Sequence, residues 1–133
     1  MRLLKLLWAK RRKADTKPVK AARFDLIYAP PGDAQVEVGT LSFDGVTWTF
    51  RYSDEYQRRP DLRPIEGFDD RSRVYSSTAL FPFFSVRIPD TDRLDVKRKL
   101  EEDHIDDPQA VDMLRIFGRR VVSSPAFELI PAA

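Results

Sequence analysis

The run Val46-Thr47-Trp48-Thr49-Phe50-Arg51-Tyr52 alternates apolar and polar residues without a break. That period of two describes a strand with one buried face; a helix would scatter the same aromatic rings round its circumference. Asp44-Gly45 stands just before it, a dipeptide suited to the positive φ of a two-residue hairpin turn. Direct pairing across such a turn sets Phe43 opposite Val46 and Leu41 opposite Trp48, all on one face. Further upstream the apolar phase slips, because Val36 and Val38 are even-numbered and Leu41 and Phe43 odd. A one-residue bulge at Gly39-Thr40 restores the face, pairing Val38 with Phe50 and Val36 with Tyr52. The glycine then serves backbone geometry rather than chemistry. A chain built round this hairpin has to complete an antiparallel sheet with one covered side.

Phe24, Leu26 and Tyr28 alternate in a strand over 23–29, closed by Pro30-Pro31-Gly32. Residues 53–78 are polar and irregular, with Pro60, Pro64 and Gly67 and short extended pieces near 65–68 and 73–75. Ser76-Ser77-Thr78 offers capping oxygens for a brief helix over 79–87, with Pro82 tolerated in its first turn. Phe81, Phe83 and Phe84 are too apolar for a surface loop and belong mostly in the core. Asp90 or Asp92 caps a helix over 92–103 with a thin stripe of Leu94, Val96 and Leu100. Asp107-Pro108 reads as an N-cap and first helical residue, opening a helix that turns Val111, Leu114 and Phe117 inward and stops at Gly118. Val121-Val122 and Phe127-Glu128-Leu129 form a terminal strand interrupted at Pro125, hence at an edge or bulge. The expected class is α+β: a small antiparallel sheet (hairpin 36–43/46–52, strand 23–29 and a C-terminal strand) with three short helices. At 133 residues the chain suits one folded domain, placed at 21–133.

Charge separates the first twenty residues from the rest. They carry eight basic side chains against Asp15 alone, while the following 113 hold 15 basic and 20 acidic ones. A basic patch over the folded body, the usual footprint of nucleic-acid binding, is therefore not expected. Leu3, Leu4, Leu7 and Trp8 fall at helical spacing ahead of Lys10, Arg11, Arg12 and Lys13, which describes a basic amphipathic helix before the linker 14–21. The apolar run is too short to span a bilayer, and its charges follow rather than precede it, unlike a secretory signal. Such a helix docks its leucines on the domain or a partner; alternatively Trp8 and the basic cluster Lys10–Lys13 contact an anionic membrane or nucleic-acid phosphates.

Composition removes much chemistry. There is no cysteine, so disulfides, thiolate metal sites and cysteine nucleophiles are excluded, in agreement with a cytoplasmic location. His104 is the sole histidine, so no site can use two imidazoles. Neither GxGxxG, GxxxxGK[ST] nor GxSxG occurs. Asp106-Asp107 reads as a helix start and Glu101-Glu102 as a solvated face. Asp69-Asp70, in a loop, is the one doublet placed to hold a cation, and with His104 the only conceivable hydrolytic set. No cofactor is expected.

In order along the chain, these landmarks resemble the N-terminal subdomain of the HipA-like serine/threonine kinases. That family opens with a strand ending V-G-x-L and a hairpin strand L-x-F-x-Y, here Val38-Gly39-Thr40-Leu41 and Trp48-Thr49-Phe50-Arg51-Tyr52. Its aromatic helix ends A-F-F-x-x-L-L-P, with the counterpart Phe83-Phe84-Ser85-Val86-Arg87-Ile88-Pro89. A D-x-x-x-L-L-x-x-x-G pattern is matched loosely from Asp107 through Met113-Leu114 to Gly118. The family's later glycine-rich segment is replaced by Arg119-Arg120-Val121-Val122-Ser123-Ser124, and the basic N-terminal extension has no counterpart. In such kinases the ATP site and catalytic loop lie in the portion after this subdomain, where the present chain stops. The resemblance therefore implies not an enzyme but a stand-alone, HipS-like protein-interaction module. In toxin–antitoxin systems of this kind a small subdomain restrains a separately encoded HipA-like kinase.

Where a partner would dock follows from residue type. Hot spots need large aromatic or arginine anchors. Tyr56, Arg58, Arg59 and Arg63, with Arg71, Arg73 and Tyr75, lie between the hairpin and the aromatic helix, where no periodicity assigns them to the core. The alternative function is a peripheral membrane- or nucleic-acid-binding adaptor acting through Trp8, Lys10, Arg11, Arg12 and Lys13.

Overall fold

The computed structural model describes residues 20–132. The expected N-terminal helix, with Trp8 and Lys10–Lys13, lies outside those residues. Five antiparallel strands form one sheet: β1 (Ala22–Tyr28), β2 (Val36–Phe43), β3 (Trp48–Tyr52), β4 (Tyr75–Ser77) and β5 (Phe127–Pro131), in the order β4-β3-β2-β1-β5. Four short helices accompany them: α1 (Asp54–Gln57), α2 (Pro82–Ser85), α3 (Leu94–Glu102) and α4 (Ala110–Phe117). The fold is α+β, as the sequence implies.

One sheet face carries the core. Phe24, Leu26, Val38, Leu41, Phe50 and Leu129 are fully buried on it, and Phe84 of α2 with Val111 and Leu114 of α4 close it from above. A second cluster joins Val96 and Leu100 of α3 to Met113 of α4. α4 therefore packs on both sides, which is why its sequence AVDMLRIF is more apolar than that of α3, LDVKRKLEE. Phe81 and Phe83 are partly buried at the margin of the core that Phe84 fills.

The hairpin is real, but its turn is longer than the dipeptide suggests. Phe43 pairs with Trp48, Leu41 with Phe50 and Gly39 with Tyr52. Four residues, Asp44 to Thr47, thus make the loop. The Asp44 carboxylate accepts from the backbone N–H groups of Val46 (2.8 Å) and Thr47 (2.7 Å), and Gly45 takes φ +108°. Phe43 and Trp48 stack at 4.4 Å just inside. Val46 is consequently 70 % exposed instead of lying on the buried face. The phase slip in β2 is also real. Leu26 of β1 faces Gly39 while Ile27 faces Glu37, which leaves Val38 as the extra residue, so the bulge lies against β1 rather than β3.

Other boundaries moved for physical reasons. α1 was not foreseen: it is one turn, begun where Ser53 Oγ accepts from the Tyr56 N–H at 3.0 Å, and it buries only Tyr56. α2 is shorter than 79–87, because Ser76 and Ser77 are spent in β4 and Pro82 itself starts the helix. α4 begins at Ala110, capped by Gln109, whose N–H is accepted by the Asp112 carboxylate at 2.9 Å, rather than by Asp107-Pro108. Asp90 and Asp92 do not cap α3, whose N-cap is Arg93, and Leu94 is 76 % exposed. Val121-Val122 is a turn outside the sheet, with Ser124 N–H bonded to Val121 O at 3.2 Å; β5 itself is an edge strand, as Pro125 implied.

His104 ends α3 in the left-handed region, φ +58°. Its N–H bonds to Glu101 O (3.1 Å) and that of Ile105 to Leu100 O (2.9 Å), the paired pattern that glycine usually serves at a helix end. A Cβ in this conformation costs roughly 1–2 kcal/mol. His104→Gly is therefore expected to stabilise the domain by about 0.5–1 kcal/mol after the entropy of glycine is counted, raising Tm by about 3 °C. A lower Tm in thermal unfolding would show that the imidazole makes a compensating contact.

Candidate functional site

The segment between β3 and β4 is organised by side chains reaching backbone. Tyr52, buried in the sheet, donates its hydroxyl hydrogen to Phe68 O at 2.5 Å, and the same oxygen accepts from Ile65 N–H at 2.9 Å. These are the ends of a turn in which Phe68 N–H bonds to Ile65 O at 2.9 Å and Gly67 takes φ +91°. Burial pushes the Tyr52 hydroxyl up to about 12, against the lowering effect of the Ile65 amide.

Arg71 holds the first half of the loop. Its guanidinium donates to the carbonyl oxygens of Tyr56, Arg59 and Leu62 and lies over the Tyr56 ring, 5.5 Å from its centroid. Tyr56 is buried, stacks on Tyr52 at 5.4 Å and donates to Arg63 O at 2.6 Å. Burial raises its hydroxyl pKa. Arg59 binds Asp61 through two contacts of 3.0 and 2.8 Å, which lowers the Asp61 carboxyl. Tyr75 sits in β4 with its ring edge on Phe68 at 5.0 Å and its hydroxyl on the Asp70 N–H at 2.8 Å.

The seven residues anticipated as partner anchors therefore divide. Tyr56 and Arg71 build the loop, Arg59 is held by Asp61, and Tyr75 is half-buried under Arg73, whose guanidinium lies 5.0 Å from its ring centroid. Arg58, Arg63 and Arg73 are exposed and form no ion pair among the described residues. They are the part of the set free to meet another molecule. Asp70 is engaged by Ser72, accepting from its N–H (2.9 Å) and hydroxyl (2.7 Å), which lowers the carboxyl pKa. No group of three or more His, Cys, Asp or Glu that could hold a metal exists among the described residues, and none of their helices is long and apolar enough to cross a membrane.

A second surface, which no periodicity marks, is centred on Val86. A cavity of about 510 Å³ on one side is lined by Glu66, Gly67, Phe68, Phe81, Phe83 and Ser124 among others. One of about 320 Å³ on the other is lined by Arg87, Phe117, Arg120, Val121 and Val122, and Val86 belongs to both. Val86 is 58 % and Val122 95 % exposed. Arg87, by contrast, is only 3 % exposed. Its Nη1 donates to Gly118 O (3.2 Å), Arg119 O (3.2 Å) and Phe127 O (3.4 Å), whereas Nε has no partner. No carboxylate among the described residues pairs with it. Burial pushes its pKa down to about 10. The one available signal was that the aromatic-helix pattern carries leucine where this chain has Arg87.

Two other charges are buried with partners. Asp112 binds the Lys20 ammonium, and Glu128 binds Arg119 (3.3 Å) and Arg120 (2.5 Å). Burial raises each carboxyl, but the cations outweigh it and hold both below their ordinary values.

These features, a sheet-borne aromatic core, a tyrosine-pinned loop and an aromatic one-turn helix, recur in order along one stretch of chain. Neither a curated protein nor a solved structure matches this sequence. The family model of the HipA N-terminal domain matches residues 34–123, from just before β2 to just before β5. That stretch is most of the chain, and the protein belongs to the HipA N-terminal domain family.

Proposed function

We propose that this domain is a non-catalytic interaction module that binds and restrains a separately encoded HipA-like kinase, in the manner of an antitoxin or regulatory subunit. The family match over 34–123 carries the proposal, since it is to the N-terminal domain of HipA and not to a kinase domain. The exposed arginines support it: Arg58, Arg63 and Arg73 form no ion pair among the described residues, on a loop pinned by Tyr52 and Arg71. A rigid loop loses little entropy on binding, and arginine forks suit carboxylate or phosphate groups.

The test is co-purification of the chain with a HipA-like kinase under gentle conditions, followed by titration of the pair. The double variant Arg58→Glu, Arg73→Glu is expected to weaken the complex at least tenfold, with circular dichroism unchanged because both side chains are exposed. A change below about threefold, less than 1 kcal/mol, would place the docking site elsewhere. Recovery of no kinase would overturn the function itself.

A further inference from the structure

The surface round Val86 has two properties that rarely occur together. It is apolar and open, with Val86, shared by the two cavities, and Val122, lining the second, both largely exposed. Beneath it lies a buried cation, Arg87, whose charge no described carboxylate cancels. At the rim, Arg93 is matched by Asp95 (2.7 Å), but Arg119 and Arg120 share the single carboxylate of Glu128. Glu66 lines the first cavity, and counting it, Arg87, Arg93, Arg119 and Arg120 still exceed the carboxylates Asp95, Glu128 and Glu66 by one, on a body in which acidic residues outnumber basic ones 20 to 15.

A low-dielectric wall with uncancelled positive charge behind it favours an anion that can leave water, and the exposed valines favour an apolar neighbour to that anion. The groove also adjoins the candidate arginine loop through Gly67 and Phe68. We propose that the Val86 surface docks a segment of the partner kinase in which a carboxylate side chain stands beside apolar ones. The proposal rests on the kinase-binding reading and names the chemistry of what the module grips.

The first measurement needs no kinase. The 133-residue chain, labelled with ¹⁵N, is titrated with hexanoate and separately with hexylammonium, which share an apolar tail and differ in charge. Hexanoate is expected to give saturable shifts at the amides of Val86, Phe117 and Val122, at least fivefold tighter than hexylammonium. Equal response to the two probes, or shifts confined to other residues, would overturn the proposal. The second measurement uses the co-purified kinase with Val86→Asp and Val122→Asp, set against Val86→Lys and Val122→Lys. These positions are exposed, so the fold is expected to survive all four changes. The aspartates are expected to weaken binding at least tenfold and the lysines less than threefold. Uniform loss across the four would overturn the carboxylate. No loss, with the Arg58→Glu, Arg73→Glu variant still impaired, would overturn this surface and leave the function standing. Hexanoate selectivity without any kinase recovered would do the reverse. A dimer of the free chain that dissolves on Val122→Asp would assign the surface to a second copy and overturn the kinase segment.

Discussion

Gly39→Ala is expected to cost on the order of 3 kcal/mol. The cause is not backbone dihedral freedom. Gly39 lies in β2 between β1 and β3, paired with Leu26 on one side and Tyr52 on the other. A Cβ at this position would stand 2.9 Å from Phe50 Cζ and closer still to the Arg51 carbonyl oxygen. The Phe50 ring is fully buried among Tyr52, Phe68 and Phe84, and Arg51 O belongs to the neighbouring strand, so neither can give way cheaply. Relief would require β3 to move off β2, breaking the ladder that supports Tyr52 and hence the arginine loop. Urea unfolding should show the midpoint lowered by about 1.5 M with an unchanged slope. A shift below about 0.3 M would mean that the strands separate more easily than the close approach implies.

The second large effect belongs to one oxygen atom. Tyr52→Phe removes the donor to Phe68 O and the acceptor for Ile65 N–H, leaving two buried backbone groups unsatisfied. Each such group costs about 1–3 kcal/mol, and a total near 2–3 kcal/mol is expected. The same hydroxyl makes the fold sensitive to alkali. An unfolded tyrosine ionises near about 10, and burial pushes Tyr52 up to about 12 in the fold. Below pH 10 both states hold the proton and the stabilisation is complete. Between pH 10 and 12 only the folded state still holds it, so stability falls as pH rises, by about 2 kcal/mol over the window. Tyr56, raised by burial as well, adds in the same direction. Denaturation of wild type and Tyr52→Phe at pH 8, 10 and 11.5 checks the assignment. The two midpoints should converge as pH rises; a constant gap would mean that Tyr52 does not titrate with unfolding.

These two residues also show what a sequence can and cannot reveal. The bulge was legible, because the switch from even to odd apolar positions in β2 requires one, but it falls at Val38 against β1 and not at Gly39-Thr40 against β3, and what demands Gly39 is the close approach of Arg51 O and Phe50, which spacing does not show. Local alternation likewise located β1, β3 and the inward face of α4. Tyr52 was legible as a core aromatic, but its hydroxyl acts on residues 13 and 16 positions away, beyond any periodic pattern. The same holds for Arg71, which reaches back as far as 15 positions, and for Arg87, which reaches forward 31 to 40. Side chains that bond to distant backbone leave no trace in spacing. Hence an arginine loop is visible as composition, while which arginines are structural and which are free emerges only from the packed chain. The Asp44 loop failed for a related reason: its carboxylate captures two amides and lengthens a turn that the dipeptide alone makes two residues long.

The pairing of β1 with β5 has a topological consequence. Phe24 lies opposite Pro131, and Ala132 N–H bonds to Arg23 O at 2.9 Å, so the polypeptide enters and leaves the sheet at one corner. A unit whose entry and exit coincide can be spliced into, fused to or cut from another polypeptide without stretching its interior, and its ends could be joined and reopened elsewhere. The hairpin tip at Val46, open to solvent, is a natural place for the new ends of such a circular permutant.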